Sequence, residues 1–268
     1  MPSLKHDGLT LSYDVYDLTP PWLENPETII FHHGVGIDRD IWIDWLPVLA
    51  DRYRLARFDM RGFGGSTAPG PGAKWSMAAL AEDVLAVGMA AGTRRFHFVG
   101  ESLGGTLGLY LAIHHPGSVL SVCACSTAHR GGSIQRVREW REFIAREGMV
   151  NWSKMMMDLR FYPDSLPIDT YRWFDRVQGS SASASVLDAA DMLIDTDLTD
   201  RLAEIESPLL LIAPDRSPFV PVEFAADIHA RVRASELQVI AGARHGVVCS
   251  HGRQSAEVYK SFLARHRS

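Results

Sequence analysis

RFHFVGESLGGTLGLYLAIH, residues 95–114, is the stretch of sequence that decides the fold. It predicts a short buried strand over residues 95–100 and, almost directly after it, a helix over residues 103–114. Ser102 lies between the two, flanked by Gly100 and Gly104. A serine that projects from a tight strand-to-helix turn needs neighbours without bulky side chains, so this context predicts a nucleophile rather than an idle turn residue.

The helix that begins after Ser102 gives this turn an electrostatic role. Its first N–H groups have no acceptor within the helix, and the positive end of the helix dipole faces the same side. The N–H of Leu103 is therefore a predicted donor to an oxyanion. The N–H of Val35 is a second predicted donor, because Gly34 and Gly36 allow the backbone to turn at the end of an earlier strand.

A candidate base lies near the end of the chain, in GARHG, residues 242–246. His245 follows the last predicted strand, and an imidazole at such a strand end can accept a proton from a serine and later return it. Among the eleven histidines, His245 alone combines this place in the chain with small neighbours on both sides. The alternative is an ordinary exposed loop histidine.

Short β-rich runs alternate with helical stretches along most of the chain. This pattern predicts an α/β fold, with a mostly parallel sheet of about eight strands flanked by helices. Leu9–Tyr16 is expected to be an antiparallel edge strand. The other strands are predicted at residues 28–33, 54–59, 95–100, 118–125, 208–213 and 237–241, and the helices at 41–51, 77–91, 103–114, 222–232 and 255–265.

The alternation is interrupted after the sixth strand by a helical stretch rich in aromatic residues and methionine. Residues 131–200 are therefore predicted to form a helical cap, or lid, on a core made of residues 1–130 and 201–268. The cap residues predicted to contact substrate are Trp140, Trp152, Met156 and Phe161. The alternative, which suits most of the cap's aromatic residues, is that they pack the cap's own small core.

Composition excludes several classes of function. The formal net charge is −5, and no dense run of Lys and Arg is present, so a nucleic acid is not an expected partner. The N-terminus shows neither a signal peptide nor a membrane span, which favours a cytoplasmic protein without a membrane partner. A small-molecule substrate is the expected partner, and a homodimer is compatible with the sequence.

The cysteines point to structure rather than to chemistry. Cys123 and Cys125 alternate within one predicted strand, where residues two apart are separated by about 7 Å, too far for a comfortable disulfide. Reduced thiols in the core are therefore expected. Since His and Cys pairs do not repeat at zinc spacing, neither a metal nor another cofactor is predicted.

Four motifs in a fixed order resemble the α/β-hydrolase superfamily across nearly the whole chain. They are the His33-Gly34 loop, the segment DMRGFGGS at residues 59–66, the turn around Ser102 and the late His245. The resemblance implies the α/β-hydrolase fold and a catalytic triad in the chain order serine, acid, histidine. Asp59 is expected to hold its own loop, His33 to be structural, and Glu101 to point away from the substrate.

A narrower resemblance involves STAHR, residues 126–130, which leads into Trp140. This segment is similar to the cap entrance of 3-oxoadipate enol-lactonase-like proteins. Those enzymes open a lactone that bears a carboxylate, and the resemblance implies that Arg130 or a neighbouring cap arginine could bind such a group bidentately. The alternative for most of the cap arginines is a solvated helix face.

The triad acid is where the chain departs from this pattern. Asp215 is the only carboxylate in PDRSPFVP, residues 214–221, and it is the predicted acid. Counting back from Pro221, however, the acid of relatives falls on Ser217, two residues later. The alternatives are that a water, Ser217 or an acid from elsewhere orients His245.

These residues together predict a serine hydrolase that cleaves a small or medium hydrophobic ester or lactone. Ser102 would attack the carbonyl carbon, and water would release the acyl-enzyme. The same fold also hosts C–C hydrolases, lyases and cofactor-free oxygenases. A ligand-binding receptor with little turnover is a further alternative, because Asp215 does not lie at the position expected for the triad acid.

Overall fold

A computed structural model describes residues 2–70, 72, 75–134 and 136–266 of the chain. It contains an eight-stranded sheet in the order β1-β2-β4-β3-β5-β6-β7-β8, in which β1 and β2 are antiparallel and the others parallel. The predicted α/β sheet is thereby confirmed. Its strands are β1 Ser3–His6, β2 Leu9–Tyr16, β3 Thr28–His32, β4 Arg54–Phe58, β5 Phe96–Glu101, β6 Val119–Cys125, β7 Leu209–Pro214 and β8 Ser235–Ile240.

The prediction that β2 is an edge strand is wrong, because β1 pairs with its outer side. Ser3 lies opposite Ser12, and His6 lies opposite Leu9. The four residues of β1 alternate between exposed and half-buried, and only one of them is apolar. A strand this short and polar leaves no hydrophobic period in the sequence from which it could be predicted.

Helices cover both faces of the sheet. The predicted helix over residues 41–51 is wrong as a single element: it is a 3₁₀ turn, Arg39–Trp42, followed by a short helix that contains Pro47 in its first turn. Proline has no N–H to bond the preceding turn, so it begins a helix more readily than it continues one. The α-helices are α1 Leu46–Leu49, α2 Met77–Ala90, α3 Leu103–His114, α4 Trp140–Arg160, α5 Ile168–Ser180, α6 Ser183–Ile194, α7 Val222–Arg231, α8 Val247–Ser250 and α9 Gly252–Arg265.

The central parallel strands bury both faces, which is why they lack a clean polar alternation. Ile30 of β3 belongs to one hydrophobic cluster, whereas its neighbours Ile29 and Phe31 belong to the cluster on the opposite face. Cys123 and Cys125 are buried free thiols whose sulfurs lie 3.8 Å apart.

The segment between β6 and β7 holds α4, α5 and α6 and three 3₁₀ turns. Helix α4 breaks at Gly148, whose backbone angles of φ 75° and ψ 171° are not helical. We call the part of this insertion from α4 to α6 the cap. Among the helices that the structure describes, none combines the length and apolarity that a membrane crossing requires.

Candidate active site

The turn between β5 and α3 holds Ser102 in a strained backbone conformation, with φ 55° and ψ −114°. A non-glycine residue rarely adopts a positive φ, and such strain persists only where the surroundings enforce it. The Ser102 N–H donates to the carbonyl of Cys125 at 2.8 Å. A Cβ on Gly100 would lie 2.1 Å from the Gly104 carbonyl oxygen, so the tight turn requires glycine there.

His245 meets Ser102 in space, although 143 residues separate the two in the chain. The distance from His245 Nε2 to Ser102 Oγ is 3.0 Å, which is a normal hydrogen-bond length. The imidazole is buried and packs edge-on against the ring of Phe219, with 5.0 Å between ring centres. The His245 carbonyl accepts a hydrogen bond from the Ser126 hydroxyl at 2.8 Å, which fixes the loop.

The other nitrogen of His245 lies against a hydroxyl and not against a carboxylate. Nδ1 is 3.1 Å from Ser217 Oγ. Asp215, the predicted acid, instead accepts a hydrogen bond from the Ala243 N–H at 3.1 Å. The Asp215 N–H donates to the Ile240 carbonyl at the end of β8. Because of this backbone pairing, the Asp215 carboxylate does not reach the His245 imidazole. Ser217, two residues further along, occupies the place of the acid.

The hydrogen bonds of Ser217 influence which ring nitrogen of His245 carries the hydrogen. Ser217 Oγ already accepts from the N–H groups of Phe219 at 3.3 Å and Val220 at 3.1 Å. A hydroxyl has two acceptor lone pairs and one hydrogen, so its remaining capacity is to donate to Nδ1. This arrangement favours the tautomer in which Nε2 is protonated, whereas a general base needs Nε2 free.

The surroundings of His245 also make its imidazole a weak base. Burial lowers its pKa well below 6.5, and the nearby Arg160 guanidinium lowers it further. A carboxylate on Nδ1 would oppose both effects by stabilising the imidazolium. The neutral hydroxyl of Ser217 provides no such charge.

Val35 and Leu103, the two predicted oxyanion donors, lie next to Ser102 on the expected elements. Leu103 is the first residue of α3, so its N–H has no acceptor in the preceding turn. Val35 contributes to the wall of the cavity that contains Ser102. Its carbonyl accepts a hydrogen bond from Arg160 at 2.9 Å, which ties the loop to the end of α4.

The cavity at Ser102 is narrow, and its wall comes from both the sheet loops and the helices α4 and α6. Its volume is about 20 Å³, which is room for about one water molecule. The wall is mostly apolar, and it includes Ile134, Val137, Trp140, Met156, Leu193 and Phe219. A molecule much larger than water therefore does not fit the cavity in this conformation.

Of the five side chains that were predicted to contact substrate, two line the cavity and three do not. Trp140 and Met156 lie in the cavity wall. Trp152 is fully buried against Trp140 and Gly36, and Phe161 packs on Phe174. Trp152 and Phe161 therefore fill the protein interior and do not line the cavity. Arg130 is exposed to solvent.

Arg130 was predicted to bind substrate, but it does not line the cavity. Its guanidinium instead contacts a hydroxyl group nearby in the chain. Its Nε donates to Ser133 Oγ at 2.8 Å. The lone arginine in the cavity wall of the described chain is Arg160, at the end of α4. Sequence reasoning missed it because nothing in the helical pattern distinguishes it from the other cap arginines.

Glu101 was expected to point away from the substrate. It does not line the cavity, but its carboxylate lies close to His245. Its carboxylate is completely buried, with Oε1 at 3.9 Å from His245 Nε2 and 3.7 Å from Arg160 Nη1. Burial raises its pKa to about 7, an effect that Arg160 and the Gly34 backbone partly oppose. The signal available in the sequence was a charged residue directly before Ser102, at a strand end that must be buried.

Two motifs outside the site hold the loops that surround it. Asp59 accepts hydrogen bonds from the N–H groups of Arg39 at 2.9 Å and Gly65 at 2.8 Å. His33 accepts from the Met60 N–H at 2.9 Å through Nε2, and its Nδ1 lies 2.7 Å from the Gly34 carbonyl. Among the described residues, His, Cys, Asp and Glu side chains form no group of three or more that could hold a metal ion.

With this sheet, turn and serine–histidine pair in place, the chain belongs to the α/β hydrolase fold family, whose model matches residues 27–251. It is 28% identical to a putative carbamate hydrolase RutD of Rhizobium rhizogenes, over 88% of this chain and 91% of that protein. It is also 26% identical to 3-oxoadipate enol-lactonase 2 of Acinetobacter baylyi, over 79% of each.

Solved structures agree on the fold. The enol-lactonase from Burkholderia xenovorans superposes with a TM-score of 0.89 at 21% identity, covering 98% of this chain and 100% of that one. A hydrolase from Pseudomonas aeruginosa superposes with a TM-score of 0.86 at 26% identity, covering 98% and 97%. The protein is thus similar to hydrolases along nearly its whole length.

Proposed function

We propose that the protein hydrolyses a small, mostly apolar carboxylic ester or lactone through an acyl-enzyme on Ser102. The observation that carries the proposal is the 3.0 Å contact between Ser102 Oγ and His245 Nε2 at a strained turn beside a mostly apolar cavity. Nucleophile and base within hydrogen-bonding reach are the requirement for this kind of catalysis.

The reaction follows from the positions of these groups. Ser102 Oγ attacks the carbonyl carbon as its proton moves to His245 Nε2, and the Val35 and Leu103 N–H groups stabilise the oxyanion. The protonated His245 then gives its proton to the leaving oxygen. A water molecule, deprotonated by His245, attacks the acyl-enzyme and releases Ser102.

The chemistry of the cavity wall supports a mostly apolar substrate. A wall that includes Ile134, Trp140, Met156 and Phe219 favours an acyl group without extended polar substituents. A carbamate is a related substrate, because its carbonyl would be attacked in the same way. The similarity to a putative carbamate hydrolase gives a reason to include it in any substrate panel.

The test is a panel of p-nitrophenyl esters, small lactones and carbamates, paired with a fluorophosphonate probe that labels nucleophilic serines. We expect hydrolysis of at least one small ester or lactone, and a single labelled site at Ser102. Ser102→Ala should abolish both and leave the thermal unfolding temperature nearly unchanged. Retained hydrolysis in this variant would exclude serine catalysis.

A second candidate function is a ligand-binding protein with little turnover. The observation in its favour is the Ser217 hydroxyl on Nδ1, which offers His245 no charge and favours the unproductive tautomer. Calorimetry with small lactones distinguishes the two functions. Saturable binding without hydrolysis would support this candidate over the first.

A further inference from the structure

We propose that Glu101 is a positioning residue that stabilises the protonated form of His245, in place of an acid on Nδ1. This inference rests on the proposed function, since it concerns how His245 acts as the base for Ser102. It assigns to a residue of the nucleophile turn itself the negative charge that the loop after β7 does not provide.

The first observation is the position of the carboxylate. Glu101 Oε1 lies 3.9 Å from Nε2 of His245, the same nitrogen that faces Ser102. Within 4.0 Å of the imidazole nitrogens, it is the single carboxylate among the described residues. When the Ser102 proton moves to Nε2, the new N–H and its positive charge arise next to this oxygen.

The second observation is that Glu101 is only loosely held by its neighbours. Both of its carboxylate oxygens are buried. The Gly34 backbone lies close enough to lower the pKa of the carboxylate, but no contact in the described part of the chain has the geometry of a full hydrogen bond. Buried carboxylates are normally well hydrogen-bonded or paired at close range, because desolvation of the charge is costly. A loosely partnered buried carboxylate beside a catalytic pair is therefore more consistent with an electrostatic role than with a structural one.

The third observation is how closely the loop at Gly34 packs against the Glu101 side chain. A Cβ on Gly34 would lie 2.2 Å from Glu101 Oε2. The loop that carries the Val35 N–H can thus pass over Glu101 only because residue 34 is glycine. The loop that contains Gly34 and Val35 therefore packs directly against the Glu101 carboxylate.

Arg160 completes the arrangement by balancing the charge. Its Nη1 lies 3.7 Å from Glu101 Oε1, and its Nη2 donates to the Val35 carbonyl. The guanidinium favours the ionised carboxylate, which in turn reduces the repulsion between Arg160 and a protonated His245. The proton transfer is balanced: Ser102 Oγ loses a proton as it bonds the carbonyl carbon, Nε2 gains it, and Glu101, which is ionised above about pH 7, neither gains nor loses one.

This arrangement makes the pH dependence a diagnostic property. The groups that face Glu101 are Arg160, His245 and the thiols of Cys125 and Cys249, whose pKa values are raised by burial so that they stay neutral. Because the pKa of Glu101 is raised to about 7, its charge is present above that pH and is lost as the pH falls through it. Reactivity of Ser102 should fall in the same range.

The experiment measures the second-order rate of Ser102 labelling by an alkyl fluorophosphonate, and kcat and KM for p-nitrophenyl acetate, from pH 5 to pH 9. In Glu101→Gln we expect labelling and kcat at pH 8 to fall by about 10- to 100-fold, the size typical of one electrostatic contact at a reaction centre. KM should change little. The decline centred near pH 7 should disappear, because glutamine does not titrate.

Asp83→Asn is the matched control, since Asp83 is a buried carboxylate that pairs with Arg61 at 2.6 Å on α2, away from the cavity. It should lower thermal stability and leave the pH profile of labelling unchanged. Adding Ser217→Asp to Glu101→Gln supplies a carboxylate on the other side of His245. It should restore most of the lost rate, which a purely structural defect would not allow.

The outcomes separate this inference from the proposed function. If Ser102 of the unmutated protein is neither labelled nor able to turn over any ester, the proposed function fails, and the role of Glu101 fails with it. If the unmutated protein reacts and Glu101→Gln keeps its rate and its pH profile, the inference about Glu101 alone is overturned. Failure of Ser217→Asp to restore the rate would likewise overturn it.

Discussion

Replacing Ser217 by aspartate should accelerate the proposed hydrolysis through Ser102. Ser217 Oγ lies 3.1 Å from His245 Nδ1 and accepts the N–H groups of Phe219 and Val220. A carboxylate at this position has enough acceptor sites for both N–H groups and for an Nδ1–H. Ser217→Asp would therefore hold the tautomer with a free Nε2 and would stabilise the imidazolium that forms during attack.

The size of the gain follows from the change in one hydrogen bond. A charge-assisted hydrogen bond is stronger than a neutral one by about 1.5 kcal/mol, and about 1.4 kcal/mol corresponds to a tenfold change in rate. The correct tautomer adds to this, and loss of the acid in a serine protease costs about 10⁴-fold. We expect kcat/KM for p-nitrophenyl acetate to rise by about 10- to 100-fold, because the serine and the oxyanion donors are unchanged.

Steady-state kinetics across pH provide the assay, and ¹⁵N NMR of labelled histidine reports the tautomer directly. The pKa of His245 should rise in Ser217→Asp, so the loss of activity caused by its protonation should move to higher pH. Ser217→Ala is the control that removes the hydroxyl without adding charge. Unchanged or lower kcat/KM in a folded Ser217→Asp protein, with the same histidine tautomer, would refute this account of the site.

Three further predictions follow from other contacts. Asp215→Asn should change kcat by less than about threefold, because Asp215 bonds the Ala243 N–H and not His245; a loss of 10³-fold would restore it as the acid. Gly34→Ala should reduce serine labelling strongly, since its Cβ would lie 2.2 Å from Glu101; unaltered labelling would show that the loop yields freely. Buried His32, with a pKa lowered to about 3, is neutral in the folded protein but titrates near 6.5 when unfolded. Its contribution to stability is therefore full well above pH 6.5 and should fall by about 1.6 kcal/mol between pH 6.5 and 5. His32→Asn should show a smaller loss in urea unfolding between the two pH values.

Much of the fold was determined by the sequence alone, because local patterns specify it. The buried runs of the central strands, the glycine-flanked Ser102 and the helix Leu103–His114 are each recognisable within about ten residues. The same holds for His245, whose place after the last strand is a matter of chain order. Strand β1 and the broken helix near Pro47 were not predicted correctly, because one is too short and polar and the other looks continuous to a helical pattern.

What only the tertiary structure decided is which charged groups surround His245. From the sequence, Asp215 was the predicted triad acid, because it is the only carboxylate in its loop. In the structure, its backbone pairs with the end of β8 and its carboxylate accepts the Ala243 N–H, so the group next to His245 Nδ1 is the Ser217 hydroxyl. Glu101 and Arg160 are far apart in sequence and meet only when α4 closes over the turn. Local periodicity fixes which elements form, but the position of a buried charge depends on long-range packing and the desolvation that it causes.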